Sequence, residues 1–160
     1  MPHQVVKLAV HGSVGDLAKI TGVVKDLDLN VLAIGGGEAP HDDGEIGIVS
    51  MIVEPDGEAE TNELVTRLRA LQLDNGRSIA DLEVIPNVHL ALANKVGELN
   101  RALAAIGNVN IRAIVSLGDF LGESHVALGF AVGDLPTVIQ RLTDAGIRIV
   151  PPEDEEPQSA

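Results

Sequence analysis

Residues 6–19 recur at 88–101 without a gap, and this duplication constrains the fold more than any single residue does. Val6 returns as Val88, Leu8 as Leu90, Ala9 as Ala91, Val14 as Val96, Gly15 as Gly97 and Leu17 as Leu99. Val10/Leu92, Asp16/Glu98 and Lys19/Arg101 keep their chemistry. Beyond that block the copies drift in loop length but stay in order. Asn30-Val31 answers to Asn110-Ile111, Ala33-Ile34 to Ala113-Ile114, Arg67-Leu68 to Arg141-Leu142, and Ile85-Pro86 to Val150-Pro151. A self-similar chain of this kind is two copies of one folding unit. The expected domains are 1–86 and 87–152, followed by an acidic, disordered tail over 153–160 with too little apolar content to fold. Each copy has about 75 residues, near the lower limit for independent stability, so the copies are expected to pack on each other or on a second chain, with a homodimer as the default.

The local pattern within each copy is the same. Residues 5–10 form a β-rich run ended by His11-Gly12-Ser13, and Leu17, Ile20, Val23, Val24 and Leu27 then follow helical spacing. Two β-branched segments, 30–34 and 46–53, flank Gly35-Gly36-Gly37 and the polar turn 40–44, which predicts a hairpin in which the three glycines make a bulge or kink. A helix from about Thr61, read as its N-cap, runs through Leu64, Val65, Leu68 and Leu71, and a last strand covers 79–85. The second copy predicts strands at 88–93, 110–117, 125–132 and 148–150. Its helices cover 99–106 and 136–145, with Asp134 as a cap, Pro136 in the first turn and Gly146 closing the C-terminus. Each copy therefore reads βαββαβ. The fold class is α+β, two tandem ferredoxin-like domains with helices on one face of an antiparallel sheet.

Composition removes several functions. The net charge of -13, with only 11 Lys and Arg, excludes phosphate-dominated nucleic-acid binding. With no cysteine there is no disulfide, thiolate nucleophile or thiolate metal site, which fits a cytoplasmic protein. No apolar run approaches the roughly 18 residues of a membrane span. Aromatic residues are 1% of the chain, Phe120 and Phe130 alone, so stacking platforms are not available.

The duplicated turns resemble those of ACT domains. Gly15-Asp16-Leu17 and Lys95-Val96-Gly97-Glu98-Leu99 are each followed by a helix and then by Asn30-Val31 or Asn110-Ile111, and the likeness covers nearly the whole chain as a tandem pair. It implies a non-catalytic regulatory protein, without a cofactor, that binds a small amino acid or related metabolite at an interface between two such domains. The second copy matches better, because Asn94 stands three residues before the glycine where the first copy has Gly12, preceded by His11.

The residues suit that chemistry. A free amino acid needs donors for its carboxylate and acceptors for its ammonium. Helix-opening N–H groups at Gly15, Asp16 and Leu17, or at Gly97, Glu98 and Leu99, supply the first; Asp16, Glu98 and the amide oxygens of Asn30, Asn94 and Asn110 supply the second. His11, Gly12, Ser13 and Val14 complete the first turn, Lys95 and Val96 the second, with Val31 and Ile111 beside the asparagines. The competing reading is a tight turn alone, in which Asp16 and Glu98 only complement the helix dipole, worth about 0.3–1 kcal/mol.

Other features resist a functional assignment. His41-Asp42-Asp43 reads as a solvated hairpin tip rather than a metal site, and Ser13 beside His11 has no third, orienting group for a hydrolase triad. Lys7 and His89, at equivalent positions on the first strands, are expected to face solvent. Catalytic residues are therefore none, and the regulated activity is expected in a separate enzyme or other protein. A ligand-free assembly module that docks partners through its acidic surface and dimerises through its sheets is the alternative.

Overall fold

The computed structural model describes residues 4–11, 15–41, 44–54, 57–73, 78–79 and 81–151. Gly12, Ser13, Val14, Asp42, Asp43 and the tail assigned to 153–160 lie outside them. The chain divides into two compact units at Val84/Ile85.

In the first unit the elements are β1 (Gln4–His11), α1 (Asp16–Asp26), β2 (Val31–His41), β3 (Gly44–Val53), α2 (Glu58–Ala70) and β4 (Asp81–Ile85). In the second they are β5 (Asn87–Ala93), α3 (Glu98–Ile106), β6 (Ala113–Phe120), β7 (Glu123–Gly129), α4 (Leu135–Asp144) and β8 (Arg148–Ile149). The sheets have the orders β2-β3-β1-β4 and β6-β7-β5-β8. Each copy is therefore the expected ferredoxin-like unit, with the first strand inside the sheet and its crossover helix leading to an edge strand.

Alternation along the strands decides which face the helices cover. Val6, Leu8 and Val10 of β1 and Met51 and Val53 of β3 point to one side, where they form a core with Ile20 and Val24 of α1 and Leu64 and Leu68 of α2. The second core repeats this with Val88, Leu90 and Leu92, Leu128, then Ala102 and Ile106 of α3, Val138 and Leu142 of α4. Every helix thus buries a pair four residues apart, the narrow stripe a helix needs to sit on a sheet.

Several local expectations are corrected. Gly35, Gly36 and Gly37 do not kink the hairpin: they pair in register with Ser50, Val49 and Ile48, and the irregularity falls at Val31/Ala33. A Cβ on Gly36 would collide with the backbone carbonyl oxygen of Ile48, so glycine there permits close strand approach. Helix α2 opens at Glu58 after Gly57, and Thr61 sits inside its first turn with Oγ1 donating to the Gly57 carbonyl at 3.2 Å. Its hydroxyl returns to the preceding turn instead of capping the helix. Asp134 precedes α4 but makes no side-chain cap, because a 3-10 turn over Val132–Asp134 feeds the helix directly. That turn ends the strand expected to reach residue 132 at Gly129, while β6 begins three residues later than expected and runs on to Phe120. His89 is not solvated: its Nε2 lies 2.7 Å from His125 Nδ1.

Candidate functional site

Gly15 and Gly97 form the two elbows. Each leaves its strand with φ near +90° (94° and 91°) and becomes the residue immediately before its helix. An L side chain rarely adopts that backbone, so the identical conformation explains why glycine stands at both positions. The Gly15 carbonyl then accepts from Lys19 N at 3.2 Å and the Gly97 carbonyl from Arg101 N at 2.9 Å, starting the helical ladders. The first-turn N–H groups have no acceptor within a helix and carry its positive dipole end. Glu98 N reaches the Lys95 carbonyl at 3.4 Å.

The carboxylate beside the first elbow is buried, and the one beside the second is held by neighbouring cations. Asp16 is 3% exposed, an acid buried at a helix N-terminus. The Glu98 side chain is 14% exposed and clasped by Arg101 Nη2 at 3.0 Å and Lys95 Nζ at 3.8 Å. The hydrogen bond from Arg101, reinforced by the charges of Arg101 and Lys95, outweighs desolvation and holds its carboxyl below the usual range. The rim is apolar and open: Leu17 and Leu99, equivalent residues, are 48% and 42% exposed, and Val96 is fully exposed. Asn94 is exposed, with its N–H donating to the Gly122 carbonyl at 3.3 Å.

The asparagines lie elsewhere. His11 pairs with Ile46, whereas Val31 and Gln4 both pair with Val53, so Asn30 stands at the end of the sheet opposite the first elbow. There its carbonyl accepts from Glu54 N at 3.3 Å and its Nδ2 donates to Glu54 Oε2 at 3.4 Å. The second copy is built the same way, with Ala113 and Asn87 both opposite Gly129 and the elbow following Ala93. A strand length of about 20 Å separates Asn110 from Gly97. No single unit brings its own elbow and asparagine together. Val31 and Ile111 pack against the cores, which removes them from any rim. The side chain of His11 lies outside the described residues.

Sequence reasoning missed the β6–β7 turn. Leu121 and Gly122, both at positive φ, bring this hairpin tip to Asn94, and the Leu-Gly pair after a strand was the available signal.

Two ferredoxin-like βαββαβ units therefore follow one another along the chain, each with a glycine elbow opening its first helix. No protein-family model matches the sequence, and no curated protein matches it. Solved structures do share the fold. A protein from Bacteroides thetaiotaomicron is 18% identical with a TM-score of 0.67 over 94% of this chain and 93% of its own. The regulatory subunit of aspartate kinase from Thermus flavus is 16% identical with a TM-score of 0.63, covering 90% and 92%. Clostridium acetobutylicum aspartate kinase matches 90% of this chain with 33% of its own, at 18% identity and a TM-score of 0.53.

Proposed function

We propose that this chain is a non-catalytic regulatory sensor that binds a small amino acid or related metabolite where an elbow of one unit meets another unit. Occupancy would be passed to a separate enzyme or other protein through the packing of its helices or its dimer interface. The observation that carries this reading is the repeated elbow: the same φ, the same opening of a helix and the same exposed leucine two residues on, in both copies. Helix-opening amides offer a carboxylate its donors, and Asn94 offers an ammonium its acceptor in the second copy. Because Asn30 and Asn110 stand a strand length from the elbows of their own units, their participation requires an elbow from a neighbouring unit or chain. The fold match supports the regulatory part, since the same architecture occurs in a kinase regulatory subunit and in part of a kinase chain.

The decisive experiment is a thermal-shift screen of the whole chain against the twenty amino acids at millimolar concentration. A ligand at a hundred times its dissociation constant adds roughly 2.7 kcal/mol to stability. One amino acid is expected to raise the melting temperature, and Asn94→Ala is expected to weaken that rise. Silence from all twenty would overturn the sensing claim.

A ligand-free assembly role has its own observation. Edge strands β2 and β6 present equivalent apolar side chains, Ile34 and Ile114, that are 46% and 52% exposed. Dimerisation without any thermal response to amino acids would favour it.

A further inference from the structure

The helix-free faces of the two sheets carry two equivalent positions with different chemistry. Val6 matches Val88, so Lys7 matches His89; Ala9 pairs with Ile48 as Ala91 pairs with His125, so Ile48 matches His125. In the first unit Lys7 and Ile48 line a cavity of about 140 Å³ with Ala9, Asp81 and Glu83. In the second, the corresponding positions hold two imidazoles in contact. His89 Nε2 lies 2.7 Å from His125 Nδ1, with ring centroids 4.9 Å apart. The Phe120 ring then stands edge-on to His125 at 5.1 Å.

A contact of this length needs one hydrogen between the two nitrogens, one ring donating and the other accepting. One added proton can enter the pair, since an imidazolium still donates to a neutral imidazole. A second makes both nitrogens donors and both rings cationic, and the contact must open. Phe120 is followed by Leu121 and Gly122, the two-residue turn of the β6–β7 hairpin, and the Gly122 carbonyl holds Asn94 N. Three steps therefore lead from the histidines to the second elbow: His125 to Phe120, Phe120 to Gly122 along the turn, and Gly122 to Asn94.

We propose that the His89–His125 pair is a proton switch, seating the β6–β7 hairpin against the second elbow while it holds at most one added proton and loosening it at the second. Among the described residues, the titratable and charged groups acting on His125 are His89 from β5, Asp119 from β6, Glu123 from its own β7 and Arg148 from β8. Asp119 accepts from Ser124 Oγ at 2.7 Å and Glu123 holds Arg148 at 2.7 Å, so both carboxylates are already engaged. Burial first, then the charge of His89, keeps the His125 imidazole below the ordinary histidine range, aided by Arg148 and opposed by Glu123 and Asp119. The sign follows. As pH falls through about 6.5 the unfolded chain binds a proton that folded His125 still refuses, so stability drops until the folded group titrates. At the equivalent positions of the first unit, Lys7 and Ile48 supply no imidazole.

The test is an NMR titration of the ligand-free full chain from pH 8 to pH 5, which keeps it independent of the amino-acid reading. Imidazole nitrogen shifts at the contact are expected to show two steps, with the His125 ring titrating below the range of an exposed histidine. The Asn94 and Gly122 amides should move with that second midpoint. His125→Gln and His89→Gln should abolish the amide response. Phe120→Ala should leave the imidazoles titrating and uncouple Asn94, which keeps the test alive if a histidine variant misfolds. Independent titration of the two rings, or an Asn94 response unchanged in His125→Gln or in Phe120→Ala, would overturn the proposal.

Discussion

Arg67 and Arg141 occupy the same place in the two copies and do different work. Arg67 lies on the outside of α2 and pairs with Glu63 one turn earlier, Nε to Oε1 at 3.0 Å, with both side chains about half exposed. Arg141 reaches across from α4 to the end of α3, where its Nη1 donates to the Ile106 carbonyl at 2.6 Å and to Asn108 Oδ1 at 3.3 Å. The backbone of the two units is governed by matched core residues, so duplicated surface residues were free to take new partners. The second copy has invested them in its own architecture. Arg101, the counterpart of Lys19, likewise holds Glu98 at 3.0 Å and the Ala145 carbonyl at 2.7 Å, tying α3 to the end of α4.

The largest effects should come where the copies agree. Leu8 and Leu90 are equivalent and essentially inaccessible. Truncation to alanine is expected to cost each unit about 2–5 kcal/mol, the range for a buried leucine whose cavity only partly collapses. Amide exchange on Leu8→Ala and Leu90→Ala measures this and sharpens the comparison. Protection should fall first in the substituted unit; an equal fall in both would show that the copies unfold as one cooperative body.

Next comes the arginine pair. Arg141→Ala should cost roughly 1.5 kcal/mol, because it removes a charged donor from a partly buried carbonyl at a helix end. Arg67→Ala should cost about 0.3–0.5 kcal/mol, the value of an exposed pair one helical turn apart. Denaturant midpoints of the two variants decide the matter. Equal losses would show that the bonds of Arg141 across two helices add nothing beyond those of an exposed pair on one helix.

The duplication made the fold legible because cores obey simple periodicity. Ile20/Val24, Leu64/Leu68, Ala102/Ile106 and Val138/Leu142 are all readable as helical pairs, and Val6, Leu8 and Val10 as one face of a strand. The elbows were legible for the same reason: a glycine between strand and helix, repeated in register, implies a positive φ. Their surroundings were not. Whether Glu98 meets a ligand or Arg101 depends on side-chain reach, and Asn30 lies beyond Gly15's reach only because β1 and β2 start at the same end of the sheet. His89 and His125 are 36 residues apart, and only the register of Ala91 with His125 sets them diagonally across two strands.

A comparison of similarly small effects concerns two helix ends with the same wiring. After α1, Asp28 N donates to the Lys25 carbonyl at 2.9 Å and Leu29 N to the Val24 carbonyl at 3.1 Å. After α4, Gly146 N donates to Thr143 at 3.0 Å and Ile147 N to Leu142 at 2.9 Å. Both are Schellman closures, and in both the next residue, Leu29 or Ile147, drops into the core. They differ at the left-handed position: Gly146 sits at φ 71° without a side chain, while Asp28 sits at φ 58° with one. Aspartate tolerates that region better than most residues but still carries steric cost, which glycine removes at the expense of a more flexible unfolded chain. Asp28→Gly is therefore expected to stabilise the first unit by about 0.5 kcal/mol, and Gly146→Asp to destabilise the second by a similar or larger amount. Opposite shifts in thermal midpoint would confirm that the closures are equivalent. A loss in Asp28→Gly would mean that the aspartate side chain contributes more at that end of α1 than its backbone strain takes away.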